Sequence, residues 1–192
     1  MRYKLGHKEE SRLRILAAAG RGFRKKGYGG IGVDGLAHEA GVTSGAFYGH
    51  FPSKSEAFRE AVVKGLRDLC ASIGSLQSAE GDAWIEAFID RYLGKKRTCD
   101  LSEACVFQAL TPEVVRAESA VRRAYQEEIV KVIDVVAKGL AGGTLAERRA
   151  RAWALLAMLA GAVTAARAIE DDALASKVAR SVRGAALLVA RT

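Results

Sequence analysis

The stretch that decides the fold reads GVTSGAFYGHF over residues 41–51, and a proline follows it at once. Its three glycines and two hydroxyl residues are typical of a loop. Phe47 and Phe51, however, are four residues apart and so can lie on one face of a helix. We predict a short helix from Ser44 to Phe51, with aromatic residues packed on one side and small residues exposed at its tip.

A second short helix is predicted just before this one, over about residues 33–40. Leu36 and Ala37 give it an inward face, and Gly41 is a residue that commonly ends helices. Two short helices joined by a tight turn form a helix-turn-helix, whose second helix enters the major groove of DNA. The sequence therefore predicts a DNA-binding unit over about residues 33–51.

The candidate contacts with DNA are the small and polar residues of this unit and its border. Hydroxyl groups at a helix N-terminus can bond bases or phosphates, and a glycine lets the backbone approach the duplex closely. Outward-pointing polar side chains suit phosphate oxygens, and a lysine at the start of the next helix adds a phosphate contact. The candidate DNA-binding residues are Thr43, Ser44, Gly45, Tyr48, His50 and Lys54.

Positive charge is concentrated around this unit. The 192 residues carry a formal net charge of +8. Residues 1–55 hold ten Lys or Arg and four Asp or Glu, which gives this segment a net charge of +6. Six of the eight net positive charges therefore lie there. A basic excess favours a polyanionic partner, and its position agrees with double-stranded DNA as that partner.

The residues RILAAAGRGFRKKGYGGIGVDGLAHEAGVTSGAFYGHFPSKSEAF, numbers 14–58, resemble the N-terminal domain of TetR-family transcriptional regulators. The resemblance implies that the six candidate residues contact DNA and that the protein is a repressor. The chain departs from the family pattern at four glycines, where a capping Thr or Ser or a larger side chain is usual. These glycines are Gly20, Gly22, Gly32 and Gly35.

The rest of the chain is also predicted to be helical. With the two short helices, apolar periodicity gives about nine helices; the other seven span about 11–26, 53–76, 83–94, 101–110, 113–141, 145–168 and 172–190.

Domain organisation follows from the breaks between these helices. Residues 75–82 are predicted to be a linker, and Pro112 a helix boundary. We predict an all-α fold with a helix-turn-helix domain at 9–69. A C-terminal helical domain for ligand binding and dimerisation is predicted at 70–192.

The resemblance also implies a homodimer that binds a palindromic operator and is released by a small-molecule effector. Aromatic residues and a cysteine of the middle helices are the candidates for the effector pocket: Trp84, Phe88, Tyr92, Cys105, Phe107 and Tyr125, with Trp153 as a further aromatic. Small and apolar residues at helical spacing on the last two helices are the candidates for the dimer interface: Ala157, Gly161, Ala165, Leu174, Val178, Ala185 and Val189.

Three alternatives stay open at this point. One is an architectural DNA-binding protein without an effector, and another is a regulator that senses oxidants or electrophiles through the Cys105 thiol. The third is a helical enzyme, which is disfavoured because no metalloprotease, phosphate-binding, nucleophile-elbow or dinucleotide motif is present. We expect no catalytic residue, no metal and no cofactor.

A cytoplasmic protein is expected from the cysteines and the hydropathy pattern. The three cysteines form no CxxC pair, which is typical of a reducing compartment. The longest uncharged run, residues 152–166, is too short to cross a bilayer core of about 30 Å as a helix. It is predicted to be a buried helix.

Overall fold

Ten α-helices make up the chain in the computed structural model, which describes residues 2–191. The described residues contain no β-strand, so the all-α prediction is confirmed. One helix more than the predicted nine is present, because Lys95–Thr98 forms a separate single turn. The helices are α1 Arg2–Lys26, α2 Val33–Glu39, α3 Ser44–Tyr48, α4 Lys54–Glu80, α5 Trp84–Leu93, α6 Lys95–Thr98, α7 Val106–Val115, α8 Ser119–Gly139, α9 Leu145–Arg167 and α10 Asp172–Arg191.

The predicted linker at 75–82 is wrong. Helix α4 runs unbroken to Glu80, and Gly81 ends it with a positive φ of 51°. The helix continues because tertiary contacts hold its last turns: Ile73 is buried, and the Gln77 side chain donates a hydrogen bond to the Val135 carbonyl of α8. The predicted domain division at 69/70 falls inside this helix. Helix α4 therefore continues from the N-terminal part of the chain into the C-terminal part.

The helix boundary predicted at Pro112 is also wrong, because Pro112 lies inside α7. The helix ends three residues later, at Val115. A proline removes one hydrogen bond from a helix interior. The buried Val114 packs the last turn into the core, which offsets that loss.

Turn glycines and a capping serine set the helix ends near the N-terminus. Gly27 and Gly41 follow α1 and α2 with φ values of 72° and 67°. Ser53 caps α4 by accepting a hydrogen bond from the Glu56 backbone N–H. The Glu56 carboxylate pairs with Arg59 and does not bond the Ser53 backbone in return.

Two of the unexpected glycines in this domain are explained by the packing of Ile31. A Cβ atom on Gly22 would lie 2.9 Å from Ile31 Cδ1, and one on Gly35 would lie 2.9 Å from Ile31 Cγ1. Both distances are shorter than van der Waals contact. The glycines therefore make room for this buried isoleucine, which packs between α1 and α2.

A buried carboxylate joins α4 to α8. Glu128 is 5% exposed and accepts hydrogen bonds from Arg67 at 2.8 Å and Lys131 at 2.9 Å. The hydrogen bond from Arg67, assisted by Lys131, lowers the pKa of Glu128 below its ordinary value, against the opposing effect of burial. Because the folded pKa is lowered, the ion pair stabilises the fold above the ordinary carboxyl pKa, and this stability is lost as pH falls through the folded pKa.

We therefore expect Glu128→Gln to reduce the free energy of unfolding by about 1 kcal/mol at pH 7, because both cationic partners are well exposed and screened. The difference from the parent protein should disappear below the folded pKa. Urea unfolding at neutral and acidic pH measures both values. Glu127→Gln is the matched control, since Glu127 is exposed and makes no ion pair. A pH-independent cost at Glu128 would contradict the ion-pair account.

Candidate functional site

Helices α2 and α3 form the predicted helix-turn-helix. The Val42 backbone N–H donates to the Ala37 carbonyl at 3.0 Å and closes the turn around Gly41. Thr43 then caps α3, with its hydroxyl oxygen accepting a hydrogen bond from the Ala46 N–H at 3.2 Å. Helix α3 ends at Tyr48, earlier than predicted, and a turn continues the chain to Phe51.

The two sides of α3 differ sharply in exposure. Phe47 and Phe51 are fully buried, and their ring centroids lie 5.5 Å apart. Thr43 and Gly45 are exposed, and Tyr48 is 53% exposed. The helix therefore presents a small polar tip to the outside and anchors itself by its aromatic side.

Lys54 is held at the N-terminus of α4 by an aromatic contact. Its Nζ lies 4.4 Å from the centre of the Tyr28 ring, a cation–π distance. Tyr28 in turn packs against Phe58, with ring centroids 5.0 Å apart. The ammonium group is thus positioned near the end of the helix-turn-helix, where a phosphate could meet it.

Ser44 and His50 are less freely available than predicted. The Ser44 hydroxyl donates to the Asp34 carboxylate at 2.5 Å and so ties α3 to α2. His50 is half-buried, and its Nδ1 is buried with no hydrogen-bond partner among the side chains that the structure describes. Both residues border the exposed tip, and the Ser44 hydroxyl has to leave Asp34 before it can donate to DNA.

A cavity of about 280 Å³ lies between α4, α5 and the segment before α7. Its wall is partly apolar and partly charged. The lining includes the apolar Leu69, Leu76, Phe88 and Val106, the charged Arg24, Asp68, Arg91, Lys96 and Glu103, and the polar Tyr92 and Cys105.

Arg24 connects this cavity to the helix-turn-helix domain. It lies in the last turn of α1, and its Nε donates to the Ser102 carbonyl at 2.7 Å. Burial lowers the pKa of the Arg24 guanidinium. A second cavity of about 240 Å³, between α1 and α4, shares Arg24, Asp68 and Glu103 with the first. The end of α1 is therefore part of the cavity wall.

An exposed face runs along α9 and α10. Ala157, Gly161 and Ala165 are exposed at successive turns of α9, and a Cβ atom on Gly161 would meet nothing within 4 Å. Trp153, on the same helix, is 44% exposed and does not line the cavity. On α10, Leu174 and Ala185 are exposed, while Val178 and Val189 are partly buried. The uncharged run 152–166 is thus buried on only one side.

The helix-turn-helix geometry agrees with a comparison against protein families. Residues 15–61 match the family model described as bacterial regulatory proteins, tetR family. Over these residues the chain resembles the tetR family. The match includes α2, α3 and the start of α4, and residues 43–54, which hold all the candidate DNA-binding residues, lie within it.

Solved structures of TetR-like fold match this chain over nearly its whole length. E. coli NemR in its reduced form has a TM-score of 0.78 at 18% identity, covering 94% of this chain and 97% of that one. A TetR-family regulator from Agrobacterium tumefaciens has a TM-score of 0.75 at 21% identity, with coverages of 92% and 97%. A protein from Saccharomonospora viridis, assigned as a transcriptional regulator and crystallised with choline, has a TM-score of 0.72 at 18% identity, with coverages of 92% and 95%.

These likenesses establish the fold of the whole chain. A search of the curated proteins finds no sequence that matches it. No helix within residues 2–191 has the length and hydropathy to span a membrane.

The predicted pocket residues divide into two groups. Phe88, Tyr92 and Cys105 do line the cavity. Trp84, Phe107 and Tyr125 do not: the Trp84 indole N–H donates to the Gly139 carbonyl at 3.0 Å, and the Tyr125 and Thr111 hydroxyls lie 3.0 Å apart. These three aromatic residues pack between helices.

Charged residues were the part of the cavity that sequence reasoning missed. Three cationic side chains line it, and none has a spacing in the sequence that marks a ligand site. Arg24 lies in the last turn of α1, far along the chain from the other residues that line the cavity. The contact with the Ser102 carbonyl, across 78 positions of the chain, is what brings it to the cavity.

Proposed function

We propose that the protein is a repressor that binds a palindromic operator as a homodimer and is released by a small molecule. The observation that carries the proposal is the exposed tip of α3, where Thr43, Gly45 and Tyr48 face outward from a buried aromatic base. A small, polar helix tip of this kind suits direct contact with the major groove. The basic excess of residues 1–55 supports phosphate contacts around it. The proposal includes a cytoplasmic location, because the operator is there.

The dimer in this proposal is formed by α9 and α10. Their outer face is apolar and small, and no other helix of the described chain covers Ala157, Gly161 or Ala165. Two such helices from each subunit would make a four-helix bundle. A two-fold dimer places two recognition helices on successive major grooves, which explains why a palindrome is expected.

Gly161→Arg is expected to convert the dimer into a monomer of 20.5 kDa without unfolding it. The position has open space within one chain, so arginine fits the monomer, whereas a second α9 packed on this face would meet a bulky charge. Light scattering measures the change in mass. Gly74→Arg, at another open glycine on α4, is the matched control and should remain dimeric. A Gly161→Arg protein that is still dimeric would contradict this interface.

The effector in this proposal occupies the cavity beside Arg24. A ligand there touches the end of α1 and α4, the two helices that carry the helix-turn-helix, and can change its position. The open cavity favours an effector over a purely architectural DNA-binding role, for which a closed core is sufficient. The choline complex of the Saccharomonospora viridis protein supports the same conclusion, because its fold resembles that of this chain. Cys105 is 8% exposed and lines the cavity, so thiol sensing stays a hypothesis.

The function is tested by selecting bound sequences from random duplex DNA with the purified protein. We expect enrichment of an inverted repeat whose half-sites lie about one helical turn apart or a multiple of it. Affinity for the selected duplex should fall steeply as salt rises, since phosphate neutralisation releases counterions. Selection without any enriched sequence, or affinity that does not change with salt, would contradict the proposal.

A further inference from the structure

The cavity has an excess of cationic side chains that are not paired with carboxylates. Arg24 donates to the Ser102 carbonyl at 2.7 Å, and Lys96 donates to the Glu103 carbonyl at 2.9 Å. Arg91 makes no hydrogen bond or ion pair with the side chains that the structure describes, those of residues 8–191. Of the two acidic residues that line the cavity, Asp68 is paired with Lys64 at 2.6 Å. The remaining acid, Glu103, is outnumbered by the three cations.

The Tyr92 hydroxyl is a second, independent observation that points to a ligand in the cavity. Tyr92 is 3% exposed and lines the cavity, and its hydroxyl has no hydrogen-bond partner in the described chain. Burial raises the pKa of the Tyr92 hydroxyl well above its ordinary value and the neighbouring Cys105 thiol raises it further, but a thiol is a weak acceptor. A buried donor without a partner is costly, so a ligand that supplies an acceptor at this position gains affinity.

The remaining wall restricts the size and polarity of the ligand. Leu69, Leu76, Phe88 and Val106 provide an apolar surface opposite these polar groups. The volume of about 280 Å³ lies just below the range usual for drug-sized ligands. A molecule of about ten to fifteen non-hydrogen atoms with one polar end matches this shape.

We propose that the effector is a small carboxylate with an apolar body, whose carboxylate binds the Tyr92 hydroxyl and Arg24. This inference rests on the proposed function, because it names the ligand class of the same cavity. Arg24 would exchange the Ser102 carbonyl for the ligand carboxylate, a stronger charge-assisted acceptor. The ligand thereby bonds directly to α1 of the DNA-binding domain.

Isothermal titration of the full-length protein with matched probes tests the ligand class. Two bodies are used, 4-phenylbutyrate and octanoate, each compared with its amide and its amine. We expect each carboxylate that binds to do so about tenfold or more tightly than its amide, because charge-assisted hydrogen bonds are lost in the amide. The amines should bind weakest. Equal binding of acid and amide, tighter binding of the amines, or no binding of either carboxylate would overturn the proposal.

Two variants test the named contacts. Tyr92→Phe removes only the hydroxyl and should weaken carboxylate binding about fivefold while leaving thermal stability equal or higher, since a buried donor without a partner is removed. Arg24→Gln should weaken carboxylate binding and abolish the preference over the amide. Arg14→Gln, at an exposed position of the same helix, is the control and should not alter binding. Variants that retain the full carboxylate preference would overturn the assigned contacts.

Failure of this inference is distinguishable from failure of the proposed function. DNA affinity is measured on the selected duplex without ligand, so it reports the repressor alone. A protein that binds its operator but shows no carboxylate preference keeps the proposed function and loses the ligand class. If the proposed function and the ligand class are both right, we expect 4-phenylbutyrate or octanoate to release the operator. The matching amide at the same concentration should not release it.

Discussion

Gly45→Asp is expected to weaken operator binding by about 100-fold, which corresponds to roughly 3 kcal/mol. Gly45 is exposed near the start of α3, where the helix tip would approach the bases. An aspartate there adds both bulk and a negative charge facing the phosphates, so steric exclusion and electrostatic repulsion act together. The fold itself should tolerate the change. A Cβ atom at this position has only Thr43 Oγ1 nearby, at 3.9 Å, and an acidic residue in the first turn favours a helix.

Fluorescence anisotropy with the selected duplex measures the loss, and thermal unfolding confirms that the protein remains folded. Gly74→Asp is the matched control, because it places the same residue at an open glycine in the C-terminal half of α4. It should bind the operator like the parent protein. If Gly45→Asp binds as tightly as Gly74→Asp, α3 is not the element that meets the DNA.

Phe23→Ala is expected to lower the free energy of unfolding of the protein by about 3–5 kcal/mol. The Phe23 ring is fully buried, and it packs edge-to-face on Phe58 with centroids 5.1 Å apart and stacks near Tyr28 at 6.0 Å. Truncation leaves a cavity between α1 and α4. The loss is a large part of the roughly 5–15 kcal/mol that usually stabilises a protein of this kind.

Operator binding should fall as well, because the Tyr28 ring that contacts Lys54 loses one of its two aromatic neighbours. Urea unfolding measures the stability change. Leu13→Ala on the same helix is the control: Leu13 is 48% exposed, so its truncation should cost about 0.5 kcal/mol or less. A Phe23→Ala protein no less stable than Leu13→Ala would show that α1 is not packed as described.

The helix-turn-helix could be predicted closely because its signals are local. Gly41 follows α2 in the left-handed region, Thr43 caps α3, and Phe47 and Phe51 are spaced by one helical turn. Each of these depends on residues within a few positions of one another. The predicted length of α3 was wrong. The helix ends at Tyr48, because Gly49 and His50 form a turn where a last helical turn was predicted.

The breaks between the later helices were predicted less well. Local signals placed a linker at 75–82 and a boundary at Pro112, yet both segments are helical. Buried contacts made by Ile73, Gln77 and Val114 with other helices decided these positions. Such contacts join residues that are far apart along the chain, and no window of sequence contains them.

The sequence by itself determined that the chain is helical and that residues 41–51 form an exposed tip on an aromatic base. Periodicity, caps and turn glycines act over one or two helical turns and are readable in order along the chain. Only the tertiary structure decided what surrounds the cavity. Arg24, Tyr92 and Lys96 meet there because α1 packs against the segment Leu101–Glu103, and that packing depends on the shapes of surfaces formed only after the helices have folded.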